Sequence, residues 1–171
     1  MGRLRNRVGL LPHGWKRKKT EQFLCTCHRR SSDLIQNNYF TPDIDWSGYA
    51  WTQKIIAAAG GTGNLNAAED SGYPATYYAV VDYASKVPSP ANSSGWFLPS
   101  IGQMWNVYQN RTSLFDGKTV VSGLKSDWYW SSSEYYDGPA SGALCVGVNR
   151  GRVSRDSKRS RGSYVRPVLA F

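Results

Sequence analysis

Histidine, cysteine and long apolar runs are scarce in this chain, and each scarcity excludes a class of function. The 171 residues contain two histidines and three cysteines. Both His13 and His28 lie in the first segment, away from any stretch that can build a core. No Ser-His-Asp or Cys-His arrangement is therefore available in the folded part. Cys25, Cys27 and Cys145 are an odd set without framework spacing, so no disulfide scaffold is expected. Cys25-Thr26-Cys27-His28 has the ligand types for zinc but lacks the second ligand pair of a structural site. No apolar run is long enough to span a bilayer. Val8-Gly9-Leu10-Leu11 is ended by Pro12-His13-Gly14 and is too short for a signal-peptide core, so no export signal is expected. Gly60-Gly61-Thr62-Gly63 lacks the Lys-Ser/Thr that completes a phosphate loop. Glu69-Asp70 falls in a predicted loop and reads as solvated surface rather than as a carboxylate pair for catalysis.

Aromatics, by contrast, are plentiful, with seven tryptophans and eleven tyrosines. The length fits one domain with room for a core. The net charge of +9 is unevenly spread. Met1 to Ser32 holds nine basic residues and one acidic, whereas Asp33 to Glu134 holds five basic and nine acidic. Tyr135 to Ser163 is basic again, with six against two, and Arg166 adds the last charge. A mildly acidic scaffold thus carries two basic segments, and the overall charge is a poor argument for nucleic-acid binding. Residues 1–32 have no helical or strand period and read as a disordered basic tail. Lys16-Arg17-Lys18-Lys19 has the charge to touch phosphates. Deleting Met1 to Ser32 is expected to leave the melting temperature within about a degree or two, because that composition cannot bury a core. A collapse of folding on deletion would show the tail to be structural.

Asp33 to Pro42 leads into the domain. Trp46 to Ala59 is predicted as a helix, with Ser47 as its cap, Gly60-Gly61 as its stop, and Tyr49, Thr52, Ile55, Ile56 and Ala59 inward. A Gly/Asn-containing loop from Thr62 to Gly72 precedes a second helix over Tyr73 to Val87. Pro74 sits in its first turn, with Tyr77, Val80, Val81 and Ala84 as its stripe. Trp96-Phe97-Leu98 reads as a short strand. Ser100 caps a third helix to Asn110 that buries Ile101, Met104, Trp105 and Tyr108. Asp116 to Gly123 reads as a loop or short hairpin. The expected core is Trp96, Leu98, Trp105, Trp128, Trp130, Leu144, Val146, Val148, Val165 and Leu169.

The stretch Tyr129 to Phe171 carries two superposed patterns. One is an apolar frame, alternating from Leu144 to Val148 as strand residues do. Asn149-Arg150-Gly151 supplies a hairpin turn, Ser154 to Ser163 reads as a long exposed loop, and Tyr164 to Phe171 as a closing strand. Pro167 limits that strand to an edge or a bulge. The other pattern is a filling of Arg, Ser, Gly, Asp, Asn, Cys and Tyr. Between Tyr135 and Ser163 there is no Gln, Glu, Met, Trp, Phe, Ile, Thr or His. Every residue there except Lys158 can be encoded by a codon ending in a pyrimidine. Randomising the adenines of Asn-type codons would leave that signature; an ordinary Gly/Ser/Arg-rich loop is the alternative.

Tyr129-Trp130-Ser131-Ser132-Ser133-Glu134, the spaced Ala143, Val146, Val148, Gly151 and Val153, then Lys158 and Tyr164-Val165-Arg166-Pro167-Val168-Leu169-Ala170-Phe171 resemble the variable proteins of diversity-generating retroelements. Gly95-Trp96-Phe97-Leu98-Pro99-Ser100 with Gln103 and Trp105 is similar to the same family. The resemblance runs from Asp45 to Phe171. It implies an α+β, C-type-lectin-like fold of the formylglycine-generating-enzyme type over residues 33–171, with short helices on small antiparallel sheets and many loops. The motifs of calcium-dependent lectins are absent, as are the paired C-terminal cysteines of the oxidases of this fold. The expectation is therefore a binding protein, not an enzyme, without metal or cofactor. Its hypervariable ligand-binding residues would be Tyr135, Tyr136, Asp137, Ser141, Cys145, Gly147, Asn149, Arg150, Arg152, Ser154, Arg155, Asp156, Arg159 and Arg161, with side chains toward solvent. The resemblance implies a protein or glycan ligand on a target surface, met from a phage virion or a bacterial cell surface. A basic nucleic-acid-binding protein is the second reading, distinguished by a steep salt dependence. An enzyme of the same fold is the third, and the sequence offers no titratable cluster for it.

Overall fold

The computed structural model describes residues 45–68, 72–111, 124–135, 138–159 and 162–171. The tail, the lead-in through Pro42, Glu69-Asp70 and the Asp116 to Gly123 segment lie outside the described residues.

Helix α1 spans Gly48–Ala58. Ser47 holds the N-cap position, but its side chain is not the expected cap. The Ser47 side chain makes no capping bond; Asp45 Oδ1 instead accepts the Ser47 N–H at 2.9 Å and the Trp51 Nε1–H at 3.0 Å. The stop is as predicted. Gly60 takes φ +79°, its N–H donates to Ala57 O, and the Gly61 N–H donates to Ile56 O, which together satisfy the last carbonyls. Thr52 and Ile55 face inward, but Tyr49 is exposed and only edges onto Phe97. Gly48 lies against the start of α4 so closely that a Cβ there would collide with Gln103 Oε1 and the Ser100 nitrogen.

The second predicted helix is three pieces. Helix α2 (Pro74–Tyr77) runs into a wide π turn (Tyr78–Asp82) and then α3 (Tyr83–Lys86). The wide turn shifts the helical phase, so Ala75, Thr76, Tyr78, Ala79 and Tyr83 are buried. Tyr77, Val80, Val81 and Ala84, expected inside, are only half-buried. Helix α4 (Ile101–Gln109) begins at Ser100, whose N–H is accepted by Gln103 Oε1 at 2.9 Å, the return half of a capping box. It buries Ile101, Met104 and Val107, while Trp105 and Tyr108 are half-buried.

Three strands, β1 (Trp128–Glu134), β2 (Gly142–Gly147) and β3 (Arg152–Ser157), form an antiparallel sheet in that order. Together the helices and this sheet make an α+β architecture. Leu144 and Val146 of β2 pack with Phe97, Ile101, Met104, Tyr129 and Val168 on one face of the sheet. Ala143 and Cys145 pack with Trp130, Ile55, Leu98 and Ala79 on the other. Asp45 ties the layers together. Its carbonyl accepts the Ser100 hydroxyl at 2.6 Å and its carboxylate accepts that of Ser133, whose oxygen takes the Ile101 N–H at 2.9 Å. All ten residues of the expected core are buried or half-buried; Trp105, Trp128, Val148 and Val165 are the half-buried four.

Two readings of the C-terminal stretch are corrected. Residues 154–157 belong to strand β3, paired with β2 throughout, so the exposed loop is shorter than the sequence implied. The Tyr164 to Phe171 segment is not a continuous strand. Tyr164 bridges to Tyr129 and Val168 bridges to Phe97, with Pro167, which has no N–H, between them.

Candidate functional site: an arginine-rich sheet edge

The β2–β3 hairpin presents the basic residues. Gly147 pairs with Arg152, and the turn between them closes through the Gly151 N–H to Gly147 O at 2.8 Å. Gly151 suits this turn because its φ is +59°, and it leaves room for the Tyr108 hydroxyl, which a Cβ would push aside. Register decides where the side chains go. Arg152, Ser154 and Asp156 share a face with Gly147, Cys145 and Ala143, whereas Arg155 shares the opposite face with Leu144.

Aromatic rings hold three guanidinium groups. Arg152 lies 5.5 Å from the Trp128 ring centroid, Arg155 4.8 Å from Tyr135, and Arg111 4.1 Å from Tyr108. Arg111 is also tied down by its Nη1, which donates to Tyr108 O at 3.0 Å, whereas Arg152 and Arg155 are exposed. Trp128, Tyr108 and Arg111 were missed by sequence reasoning. They lie well upstream of the filling and reach it only through the sheet and the Gly151 turn, so no local signal marks them.

The fourteen predicted site residues divide by burial. Ser141, Asn149, Arg150, Arg152, Arg155 and Arg159 are exposed, and Tyr135, Ser154 and Asp156 are half-buried. Tyr136, Asp137 and Arg161 lie outside the described residues. Cys145 and Gly147 are corrections to the expected outward set, because both are buried. The alternation they follow is real, but the second face of β2 is covered as fully as the first. Cys145 packs in the cluster of Trp130 and Ile55, and the Trp128 ring lies over Gly147, where a Cβ would stand 2.9 Å from it.

Burial first, and then the nearby Asp156 charge, push the Cys145 thiol up to about 12. At neutral pH almost none of it is thiolate, the form that reacts. In a Cys25→Ser/Cys27→Ser variant, iodoacetamide should leave the folded protein unmodified and label it once denatured. Rapid labelling of the folded protein would show that this face of β2 opens to solvent.

Two further cations are scaffold. Lys158 is 1 % exposed, its Nζ 2.6 Å from Glu134 Oε1 and 2.5 Å from Pro139 O. Arg166 is buried beside Tyr83 and Tyr129, and burial lowers its pKa. The same burial pushes the Tyr129 phenol up to about 12. The exposed positive charge of the hairpin and its following turn therefore comes from Arg150, Arg152, Arg155 and Arg159, opposed on β3 by Asp156.

Among the described residues there is no cluster of three or more His, Cys, Asp or Glu side chains placed to hold a metal ion. None of the described helices is long and apolar enough to cross a membrane. Comparison with known proteins returned no matching family model, no matching curated protein and no matching solved structure.

Proposed function

We propose that this chain is a ligand-binding protein displaying a diversified surface on a C-type-lectin-like scaffold, as the variable proteins of diversity-generating retroelements do. One observation carries the reading. Within a single short hairpin and the turn that follows it, the apolar frame residues Leu144 and Val146 are buried, while Arg150, Arg152, Arg155 and Arg159 stand outside the core. Residues so divided can change on the surface without disturbing the fold, much as binding loops vary on a rigid framework. Arginine and tyrosine are frequent binding anchors, and Tyr135 with Arg155 supplies both types in contact. The ligand is a protein or glycan on a target surface, met by a phage virion or a bacterial cell. The reading assigns no reaction to the site.

The test replaces Arg150, Arg152, Arg155 and Arg159 together by serine. Exposed substitutions cost less than about 0.5 kcal/mol each, with a similar amount for each lost ring contact. Melting should stay near that of the wild type, while binding to host cells is altered or lost. Unchanged host-cell binding, or an unfolded protein, would mean that the hairpin is ordinary scaffold. Binding that tracks any nucleic acid regardless of sequence and falls steeply with salt would favour the nucleic-acid reading.

A further inference from the structure

We infer that the open edge of β3 accepts an acidic, extended polypeptide segment as a fourth strand of the sheet. The inference rests on the reading of the hairpin as a binding surface and gives that surface a partner chemistry.

Among the described residues β3 pairs with β2 alone. The ladder phase fixes which groups face away. The Lys158 N–H donates to Ser141 O at 2.7 Å, which continues the β2–β3 register. The even-numbered residues of β3 therefore bond to β2, and the backbone groups of Val153, Arg155 and Ser157 point outward. The Ser157 N–H is taken by Asp156 Oδ1 at 2.7 Å, and the Arg155 carbonyl meets the Ser154 hydroxyl at 3.3 Å. Val153 and the Arg155 N–H are left to offer the spacing of donors and acceptors that an extended chain matches.

Charge then selects the occupant. Arg152 stands on one face of this edge and Arg155 on the other, with Arg150 in the turn before it and Arg159 just past its end. The Arg152 and Arg155 side chains lean back across β2 onto Trp128 and Tyr135, but with Arg150 and Arg159 they keep the surroundings of this edge positive, and opposite charges are the favourable cross-strand neighbours. A nucleic-acid backbone would use the charge but not the peptide-spaced edge.

The test uses the full chain and a fluorescein-labelled octaglutamate, which carries carboxylates on both faces of a strand. Two derivatives are N-methylated, one at alternate residues and one at every residue, because a strand directs alternate nitrogens to opposite edges. The unmodified peptide should bind, an octalysine should not, the alternately methylated form should still bind through its free edge, and the fully methylated form should lose binding. Arg155→Pro removes an outward N–H at an edge position that tolerates proline, whereas Arg155→Ser removes only the side chain. The proline variant should bind about tenfold more weakly than the serine variant.

No binding of the acidic peptide, equal binding of the lysine peptide, or equal effects of the two methylations would overturn the inference. The methylated probes do so with wild-type protein, whether or not the proline variant folds. A dimer of the chain that Arg155→Pro dissociates would make a second copy the occupant, again overturning it. If the peptide fails while the four-arginine variant still alters host-cell binding, strand addition is wrong and the binding surface stands. If that variant changes nothing, the surface itself is wrong.

Discussion

Replacing Lys158 with methionine should destabilise the fold by about 3–5 kcal/mol, the usual cost of removing one partner from a buried ion pair. Its side chain is 2 % exposed and that of Glu134 is 1 %. The ammonium joins the end of β1 to the Pro139 carbonyl in the connection between β1 and β2, while its own N–H bonds to Ser141 O. Methionine would fill much of the volume but leave the Glu134 carboxylate buried without its nearest counter-charge. The double change Lys158→Met with Glu134→Leu should recover a large part of the loss, because an apolar pair of similar volume needs no desolvated charge. Chemical denaturation of the single and double variants checks both values. A single variant within about 0.5 kcal/mol of wild type would show that the pair is solvated rather than structural.

Leu144→Ala should cost about 2–5 kcal/mol. The side chain is 2 % exposed and packs among Met104, Tyr129, Val146 and Val168, beneath α4. Val146→Ala, at a position with no exposure, should cost less because fewer atoms are removed. Asn149→Ala, in the exposed turn of the same hairpin, should fall within about 0.5 kcal/mol. A one-residue slip of register would move Leu144 to the face now held by Cys145. That face is also closed, so a slip would not make Leu144→Ala neutral. Neutrality would instead mean that α4 does not cover the sheet.

Periodicity and punctuation made the helices legible. Gly60-Gly61 marked the end of α1, Pro74 the start of α2, and Ser100 with Gln103 the start of α4. What escaped the sequence depends on partners far along the chain. Ser47 stands at the N-cap of α1 without a side-chain bond, and it is Asp45, tied to Trp51, Ser100 and Ser133, that holds the Ser47 N–H. The Tyr78–Asp82 turn leaves no mark in the apolar spacing, so the stripe of the second helix was placed on the wrong residues. Alternation along β2 was read as one wet face and one dry face. Ala143, Cys145 and Gly147 are instead the small residues that a second covered face admits. Lys158 was set apart in the sequence, as part of the fixed pattern and as the single residue of the filling whose codon cannot end in a pyrimidine, but nothing there said that it was buried. The structure places that residue among the buried scaffold.

The site was legible in composition and only partly in geometry. Arginine after arginine marked the stretch from Arg150 to Arg159, and those side chains are exposed. The sequence could not show that β3 divides them between two faces, or that Trp128, Tyr135 and Tyr108 brace guanidinium groups on either side.

The most direct measurement for the diversified-surface reading is the sequence of the DNA flanking the gene. The expected result is a near-identical copy of the codons for Tyr129 to Phe171 beside a reverse transcriptase gene. The two copies should differ only where the second has adenine. Differences should fall on exposed positions such as Arg150, Arg152, Arg155 and Arg159, and should spare Lys158, Leu144 and Val146. Absence of such a copy, or differences scattered over Lys158 and the buried frame at bases other than adenine, would contradict it.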